Sequence, residues 1–496
     1  MSRRTSNAGA ALAVALFWLA TALPATAQAP AACLGDLTAS GVEQRGGERL
    51  RFGINPAGEA GIFGVPTPAV PDQPDKTLAA LARLRPAGAP YVVRLNRFFW
   101  SDGEAAFRRF LAASERYADA GYEVEIQVRY HPGPGQEGNI GAWRDHIREV
   151  VRRFGANPGV RSLQITNEAN FIPFSPDSSD SAYRGVRDAL VQGVIAAKDE
   201  ARRLGFSQLS IGFNWAYRNE PASEASFWAH LRDTGGRRFV ESVDWVGLDA
   251  YPGTVFPPVE LAGGGYRDGM VAAISQLRKC FMPIAGLGTG VPIKVEENGW
   301  PTLPPARSYE TQVVALEEMV RAVHDFRGTY NVSDYRWFDL RDHQTSSPNF
   351  QHQYGLLRDD YGEKPAFARY AALADALALR YPPKPRLGLR LRYSPGPRSG
   401  RRGRRCVAAR LRATLKGTDK GEVRRVDFSV AGRRSVVDGK RPFTRALALG
   451  SLRRGRTYRA TARAVLADGR VRTIRRTFVR CASVAAIATT NAHRNR

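Results

Sequence analysis

The sequence predicts a (β/α)8 TIM barrel followed by a small all-β domain, and three observations carry that expectation. Eight short β-rich runs, separated by segments of helical apolar spacing, fill residues 51–380. A stretch rich in Pro, Gly and Arg follows over 382–405. Beyond it the apolar residues recur at every second position, the period of a strand.

The strand runs are Arg51–Asn55, Tyr91–Asn96, Val124–Tyr130, Ser162–Asn167, Gln208–Asn214, Asp244–Ala250, Pro292–Glu297 and Tyr335–Asp339. Between them, Leu78, Leu81 and Leu84 mark a helix over Thr77–Leu84. Phe107, Phe110, Leu111 and Tyr117 mark one over Gly103–Ala120. Trp143, Ile147, Val150 and Val151 mark one over Ala142–Phe154. Longer helices are expected over Ala182–Leu204 and Tyr309–Phe326, and a last one over Ala366–Leu379. Asp102, Ser181 and Ser308 are candidate caps, because a short polar side chain can take a free amide of the first turn. An open doubly wound sheet is the alternative architecture. It would want a Gly-rich phosphate turn after its first strand, and Phe52-Gly53-Ile54-Asn55-Pro56 offers none.

In the last segment Val426, Phe428 and Val430 alternate, as do Tyr458, Ala460, Ala462, Ala464 and Leu466. Ala467-Asp468-Gly469-Arg470 reads as a hairpin turn. This rhythm resembles bacterial Ig-like modules and implies a β-sandwich over 406–482, with 483–496 as a tail.

Charge separates the two parts. The chain has 496 residues, with 73 basic and 47 acidic. Pro382 to Arg496 holds 32 basic and 5 acidic residues, which leaves 41 and 42 for the remainder. A neutral body therefore precedes a strongly basic domain, and electrostatic partners belong to the latter. The 43% apolar content excludes wholesale disorder, and a single long apolar run excludes a polytopic membrane protein.

That run is N-terminal. Arg3 and Arg4 precede the apolar Ala8–Leu23, and Ala25-Thr26-Ala27 and Ala27-Gln28-Ala29 offer small-residue cleavage sites. Residues 1–29 are expected to be a secretory signal, with 30–381 as the barrel domain; a membrane anchor is the alternative. Export permits disulfides. Cys406 and Cys481 bracket the basic domain and are expected to pair, leaving Cys33 with Cys280 by elimination. No Cys or His cluster has zinc spacing.

In a (β/α)8 barrel, functional side chains cluster at the C-terminal ends of the strands. The fourth run ends Ile165-Thr166-Asn167-Glu168 and the seventh ends Val295-Glu296-Glu297-Asn298-Gly299-Trp300-Pro301. Two carboxylates thus face one cleft from opposite sides of the barrel mouth. Glycosidic bond cleavage needs such a pair: one acid protonates the leaving oxygen, and the other group attacks the anomeric carbon or activates water.

With Asn167-Glu168 on the fourth strand and Glu297, in Glu297-Asn298-Gly299-Trp300-Pro301, on the seventh, the chain resembles the clan A retaining glycoside hydrolases. The resemblance covers roughly residues 50–375. It implies Glu168 as acid/base and Glu297 as nucleophile in a double displacement on a poly- or oligosaccharide. Glu296 competes with Glu297, because strand ends carry bulges that upset alternation; the Glu-x-Gly-Trp-Pro context favours Glu297. The resemblance also implies that Arg94 lies near the nucleophile, that His131 ends the third strand on the substrate side, and that Tyr251 holds the nucleophile. It implies that Trp337 forms a sugar platform. Asp249 stands where those enzymes often have His. Asn167 is expected to bind the sugar 2-hydroxyl. Trp300, like Trp100 and Trp215, could stack on a sugar face. The expected carboxyl separation is about 5–5.5 Å for retention, against about 9 Å for inversion.

No metal or organic cofactor is implied, and a monomer is expected. A catalytically idle carbohydrate-binding barrel and a cell-surface interaction protein are the alternatives. The basic domain has runs such as Arg401-Arg402-Gly403-Arg404-Arg405 and Arg453-Arg454-Gly455-Arg456. A nucleic-acid module would add stacking aromatics, and these are few, so no nucleic-acid partner is expected. Contact with an anionic cell envelope or acidic glycan is expected instead, with a solvated spacer as the alternative.

Overall fold

A computed structural model describes residues 42–56, 70–171, 178–218, 221–254, 265–380, 386–395, 406–417, 422–431, 435–450, 452–467 and 471–481. The expected signal segment 1–29, Cys33 and the tail 483–496 lie outside the described residues.

Eight parallel strands close into a barrel in sequence order. They are β1 (Arg51–Ile54), β2 (Tyr91–Phe99), β3 (Glu123–Arg129), β4 (Val160–Ile165), β5 (Ser210–Ala216), β6 (Trp245–Asp249), β7 (Ile293–Asn298) and β8 (Val332–Trp337). Pairing of β1 with β8 completes the ring. The helices α1 (Pro74–Leu84), α2 (Gly103–Asp119), α3 (Ile140–Phe154), α4 (Val186–Leu204), α5 (Pro221–Val240), α6 (Tyr266–Gln276), α7 (Tyr309–Tyr330) and α8 (Pro365–Leu377) intervene.

The strands alternate, and the alternation decides what fills the barrel. Val93, Leu95, Val124, Ile126, Val128, Leu163, Ile165, Ile211, Phe213, Val246, Leu248, Ile293 and Val295 form one apolar core with the helices. The opposite parity places Arg94, Glu125, Gln164, Lys294, Glu296 and Arg336 in contact with one another inside the ring, and bonds Gln127 and Asn214 to Asn167. A barrel interior is more often layered with branched apolar residues. Here the apolar layer faces outward and the interior is a charged network, which positions ionisable groups at the mouth. Gly247 makes room for it: a Cβ there would lie 2.9 Å from both Asn214 Cβ and Glu296 Cγ.

Two helices escape the periodicity. In α6 nearly every residue from Tyr266 to Gln276 is buried, so it has no polar face to set a period. In α5, Gly236 takes φ +52 and breaks the helix internally. Of the expected caps, Ser308 accepts from the Thr311 amide at 3.1 Å. Asp102 instead takes Arg109 at 3.1 Å, and Ser181 falls in a 3₁₀ turn well before α4.

The C-terminal part is all-β. Residues 387–395, expected within a linker, form strand β9 (Leu387–Pro395), because Leu389 has a core to enter. It pairs antiparallel with β10 (Val407–Gly417), and β13 (Thr444–Leu447) flanks β10 on the other side. A second sheet is ordered β12 (Val436–Asp438), β11 (Val423–Val430), β14 (Thr457–Leu466) and β15 (Val471–Val479). Val426, Phe428, Ala460, Ala462 and Ala464 meet Leu411, Ala413 and Leu415 in a separate core.

Cys406 and Cys481 are disulfide-bonded across 75 residues. Cys280 is disulfide-bonded as well, but the Cys33 of its expected pair is outside the described residues. Closing a loop of that length constrains the unfolded chain by about 4 kcal/mol. Cys406→Ser with Cys481→Ser is therefore expected to lower the unfolding midpoint of the C-terminal domain while leaving the barrel's transition in place. Differential scanning calorimetry of the full chain checks this.

Candidate active site

Glu168 and Glu297 meet at the C-terminal mouth of the barrel, and Asp249 joins them. One carboxylate oxygen from each lies within 4.8 Å of the other two.

Glu168 stands just beyond β4 on a constrained turn. Thr166 (φ +63) and Glu168 (φ +48) both take the left-handed conformation, which is costly for a branched residue such as threonine. A polar cage holds it. The Thr166 amide donates to Val128 O at 2.8 Å, the Asn167 amide to Asp180 Oδ2 at 2.8 Å and the Glu168 amide to Asn214 Oδ1 at 2.8 Å. Asp180 also accepts from Arg129 Nε at 2.7 Å, which locks the turn to β3. Burial and the neighbouring Glu297 push the Glu168 carboxyl up to about 8, so it is protonated at neutral pH.

Glu297 comes from a bulge. Alternation along β7 sends Lys294 and Glu296 inward, so Glu297 would face the helices. The register with β6 slips between Leu248 and Asp249, and that with β8 between Val295 and Asn298, which turns Glu297 into the mouth. Its Oε1 accepts from Arg94 Nη1 at 2.7 Å and its Oε2 from Tyr251 Oη at 2.7 Å. Glu296 is sealed in the barrel, 3.4 Å from Arg94 Nε and 3.8 Å from Lys294 Nζ. The Glu297 side chain is 10% exposed and that of Glu296 is 0% exposed, so only Glu297 can meet a ligand. Burial opposes the charge on Arg94, but the carboxyl groups around it, Glu297 foremost, more than offset it and hold the guanidinium charged.

The other expected residues separate. Asn167 Oδ1 accepts from Gln127 (2.8 Å), Gln164 (3.3 Å) and Asn214 (2.8 Å), and its Nδ2 donates to Ser178 O at 2.9 Å. It acts as a hub of the cage. His131 stacks on Phe99 with centroids 4.3 Å apart, and its Nδ1 lies 3.1 Å from Ser101 Oγ. Trp337 and Trp300 are fully buried; Trp337 donates to Tyr354 O, and Arg307 covers Trp300 at 4.1 Å. The aromatic surface beside the carboxylates is a cluster of Tyr251, Phe338 and Tyr354. Asn214, Asp180 and Gln164 were not singled out in the sequence. Asn214 could have been, as it sits near the end of the fifth strand.

The barrel, and the carboxylates at the ends of its fourth and seventh strands, are consistent with the clan A glycoside hydrolase resemblance. No protein-family signature matches the chain, and no curated protein sequence matches it. Solved structures with a similar fold include a β-glucuronidase from Bacteroides uniformis, at 13% identity and a TM-score of 0.42. That match covers 88% of this chain and 46% of the other, so the chain spans about half its length. They also include a GH5_18 protein from Streptomyces cattleya solved in complex with GlcNAc, at 15% identity and a TM-score of 0.46, covering 69% of this chain and 83% of that one. A GH5_18 protein from Bifidobacterium longum has 14% identity and a TM-score of 0.46, covering 68% and 82%.

Proposed function

We propose that the chain hydrolyses β-glycosidic bonds of a poly- or oligosaccharide with retention of configuration. The observation that carries this reading is the pairing of Glu168 and Glu297 across the mouth, with oxygens within 4.8 Å, one acid kept protonated and the other held by two donors. That spacing supports retention, because inversion needs room for a water between the two groups.

In the first step a Glu297 oxygen attacks the anomeric carbon. The bond from that carbon to the leaving oxygen breaks, and the Glu168 proton goes to that oxygen. In the second step water attacks the same carbon, Glu168 takes its proton, and the ester bond to Glu297 breaks. Arg94 and Tyr251 donate to the two oxygens of Glu297 and keep it aimed. Asn167 acts through Glu168, since its Oδ1 gathers the amides that fix the turn. In this reading His131, partly exposed, meets substrate at the rim. The buried Trp300 and Trp337 support the walls. The N-terminal signal-like segment supports secretion, and a monomer suffices for this site. A panel of polysaccharides and aryl glycosides, run on wild type and Glu297→Ala, tests the reading: turnover lost in the variant supports it, and no turnover by wild type on any β-glycoside overturns it.

For the basic domain we propose contact with an anionic glycan of the cell envelope. Arg390 and Arg392 of β9 and Arg412 and Lys416 of β10 are exposed on one face of the three-stranded sheet. Arg412 lies directly opposite Arg392, an arrangement that is unfavourable without a counter-charge. No acidic residue stands on that face among the described residues. Arg392→Glu with Arg412→Glu is expected to weaken binding of the full chain to polygalacturonate by at least about 10-fold at low salt. Unchanged binding would refute the assignment, and stronger retention on single-stranded DNA than on polygalacturonate would point to a nucleic-acid partner instead.

A further inference from the structure

Among the described residues, seven carboxyl groups share the inward parity of the barrel and its mouth: Glu123, Glu125, Glu168, Asp249, Glu296, Glu297 and Asp334. Four cations face them, namely Arg51, Arg94, Lys294 and Arg336, while Arg129 is matched by Asp180. Four pairs are closed by short contacts: Arg51 with Glu123 at 2.7 Å, Arg94 with Glu297 at 2.7 Å, Lys294 with Glu125 at 2.8 Å and Arg336 with Asp334 at 2.8 Å. Glu168, Glu296 and Asp249 are left over. Unmatched charge in such a volume is costly, so the surplus is met by protons.

Asp249 is the most isolated of the three. It is 0% exposed and has no ion pair among the described residues. Its Oδ2 accepts from Asn214 Nδ2, and its Oδ1 has no hydrogen-bond partner. Every element packed around it contributes a polar or charged group: Arg94 from β2, Glu168 from the end of β4, Asn214 from β5, and Glu296 and Glu297 from β7.

We propose that Asp249 is held as a neutral carboxylic acid in the resting site, a positioning residue that keeps the negative charge of the cluster on Glu297. An anionic Asp249 would stand within 4.8 Å of Glu297 with one oxygen, Oδ1, lacking a donor; a neutral acid removes the repulsion. Burial, and then Glu297, push the Asp249 carboxyl well above the ordinary range, in accord with this state. The consequence for turnover rests on the glycosidase reading. At rest the trio carries one negative charge, on Glu297. After the first displacement Glu297 is an ester and Glu168 has given up its proton, so the trio again carries one. A neutral Asp249 keeps that count at one through both half-reactions, where an ionised Asp249 would hold it at two.

The test needs no substrate, so it stands or falls apart from the glycosidase reading. The infrared difference between full-length wild type and Asp249→Asn at neutral pH is expected to show loss of a protonated-carboxyl C=O band, with the carboxylate bands unchanged. The same band is expected to shift in wild type labelled with ¹³C-aspartate, which avoids any question of misfolding. Loss or shift of carboxylate bands alone overturns the proposal. If wild type turns over a glycoside, Asp249→Ala is expected to lower kcat/KM by about 10- to 100-fold. Asp249→Asn, whose amide is neutral and keeps the Asn214 contact, is expected to recover most of that loss. An Asn variant as impaired as the Ala variant overturns the positioning role.

Discussion

Glu297→Ala is expected to lower turnover of every β-glycoside substrate by at least about 10⁴-fold, because the attacking atom itself is removed. Leaving-group quality does not rescue the variant, since bond formation at the anomeric carbon is lost whether or not the departing oxygen needs a proton. Added azide does rescue it: the small anion fills the space left by the carboxylate, attacks the same face and yields a glycosyl azide of inverted configuration. Arg94 loses its Glu297 contact in this variant but keeps Glu296 at 3.4 Å and Glu125 at 3.7 Å, so the fold is expected to persist. Circular dichroism and the urea midpoint check that. Glu296→Ala gives the contrasting result, a loss of stability with no azide product, because Glu296 lies beneath the cleft.

Glu168→Gln has the second largest effect, and it depends on substrate. Cleavage of an oligosaccharide, whose leaving alkoxide needs a proton, is expected to fall by about 10²- to 10⁴-fold. An aryl glycoside with an acidic leaving phenol is expected to keep its first step and stall at the second, where the base is missing. A burst of phenol followed by a slow steady state shows this, and azide then gives a glycosyl azide of retained configuration. The pH profile carries the same signature. Glu168 must be protonated to act, and its carboxyl sits at about 8, so wild-type kcat/KM is expected to hold below that value and fall as pH rises through it. Glu168→Gln has no such alkaline limb. A limb that survives the substitution assigns the acid to another group.

Much of the barrel was legible in the chain because short β-rich runs take turns with segments of helical apolar spacing, and the carboxylates ending the fourth and seventh runs stood out. What could not be read depended on distant contacts. The aim of Glu297 comes from register slips on both sides of β7, which alternation alone assigns to Glu296. Asn214 and Asp180 are ordinary polar residues until the fold brings their oxygens to the amides of Glu168 and Asn167. Helix α6 has no polar face and so no period to detect. Strand β9 was hidden by the Pro and Gly around it, although its apolar side chains belong to the second core. The tryptophans mislead in the opposite direction: Trp300 and Trp337 have the ring for stacking on sugars, yet both are enclosed.

The central claim is that Glu297 bonds to the sugar, and intercepting that bond tests it most directly. An activated 2-deoxy-2-fluoro glycoside of a sugar that the substrate panel identifies slows the second step, so the ester accumulates. Peptide mass spectrometry is then expected to find one sugar on the peptide containing Glu297, and none in Glu297→Ala. Full hydrolysis of the parent substrate with no labelled peptide, or a label on Glu296 or Glu168, would contradict the account.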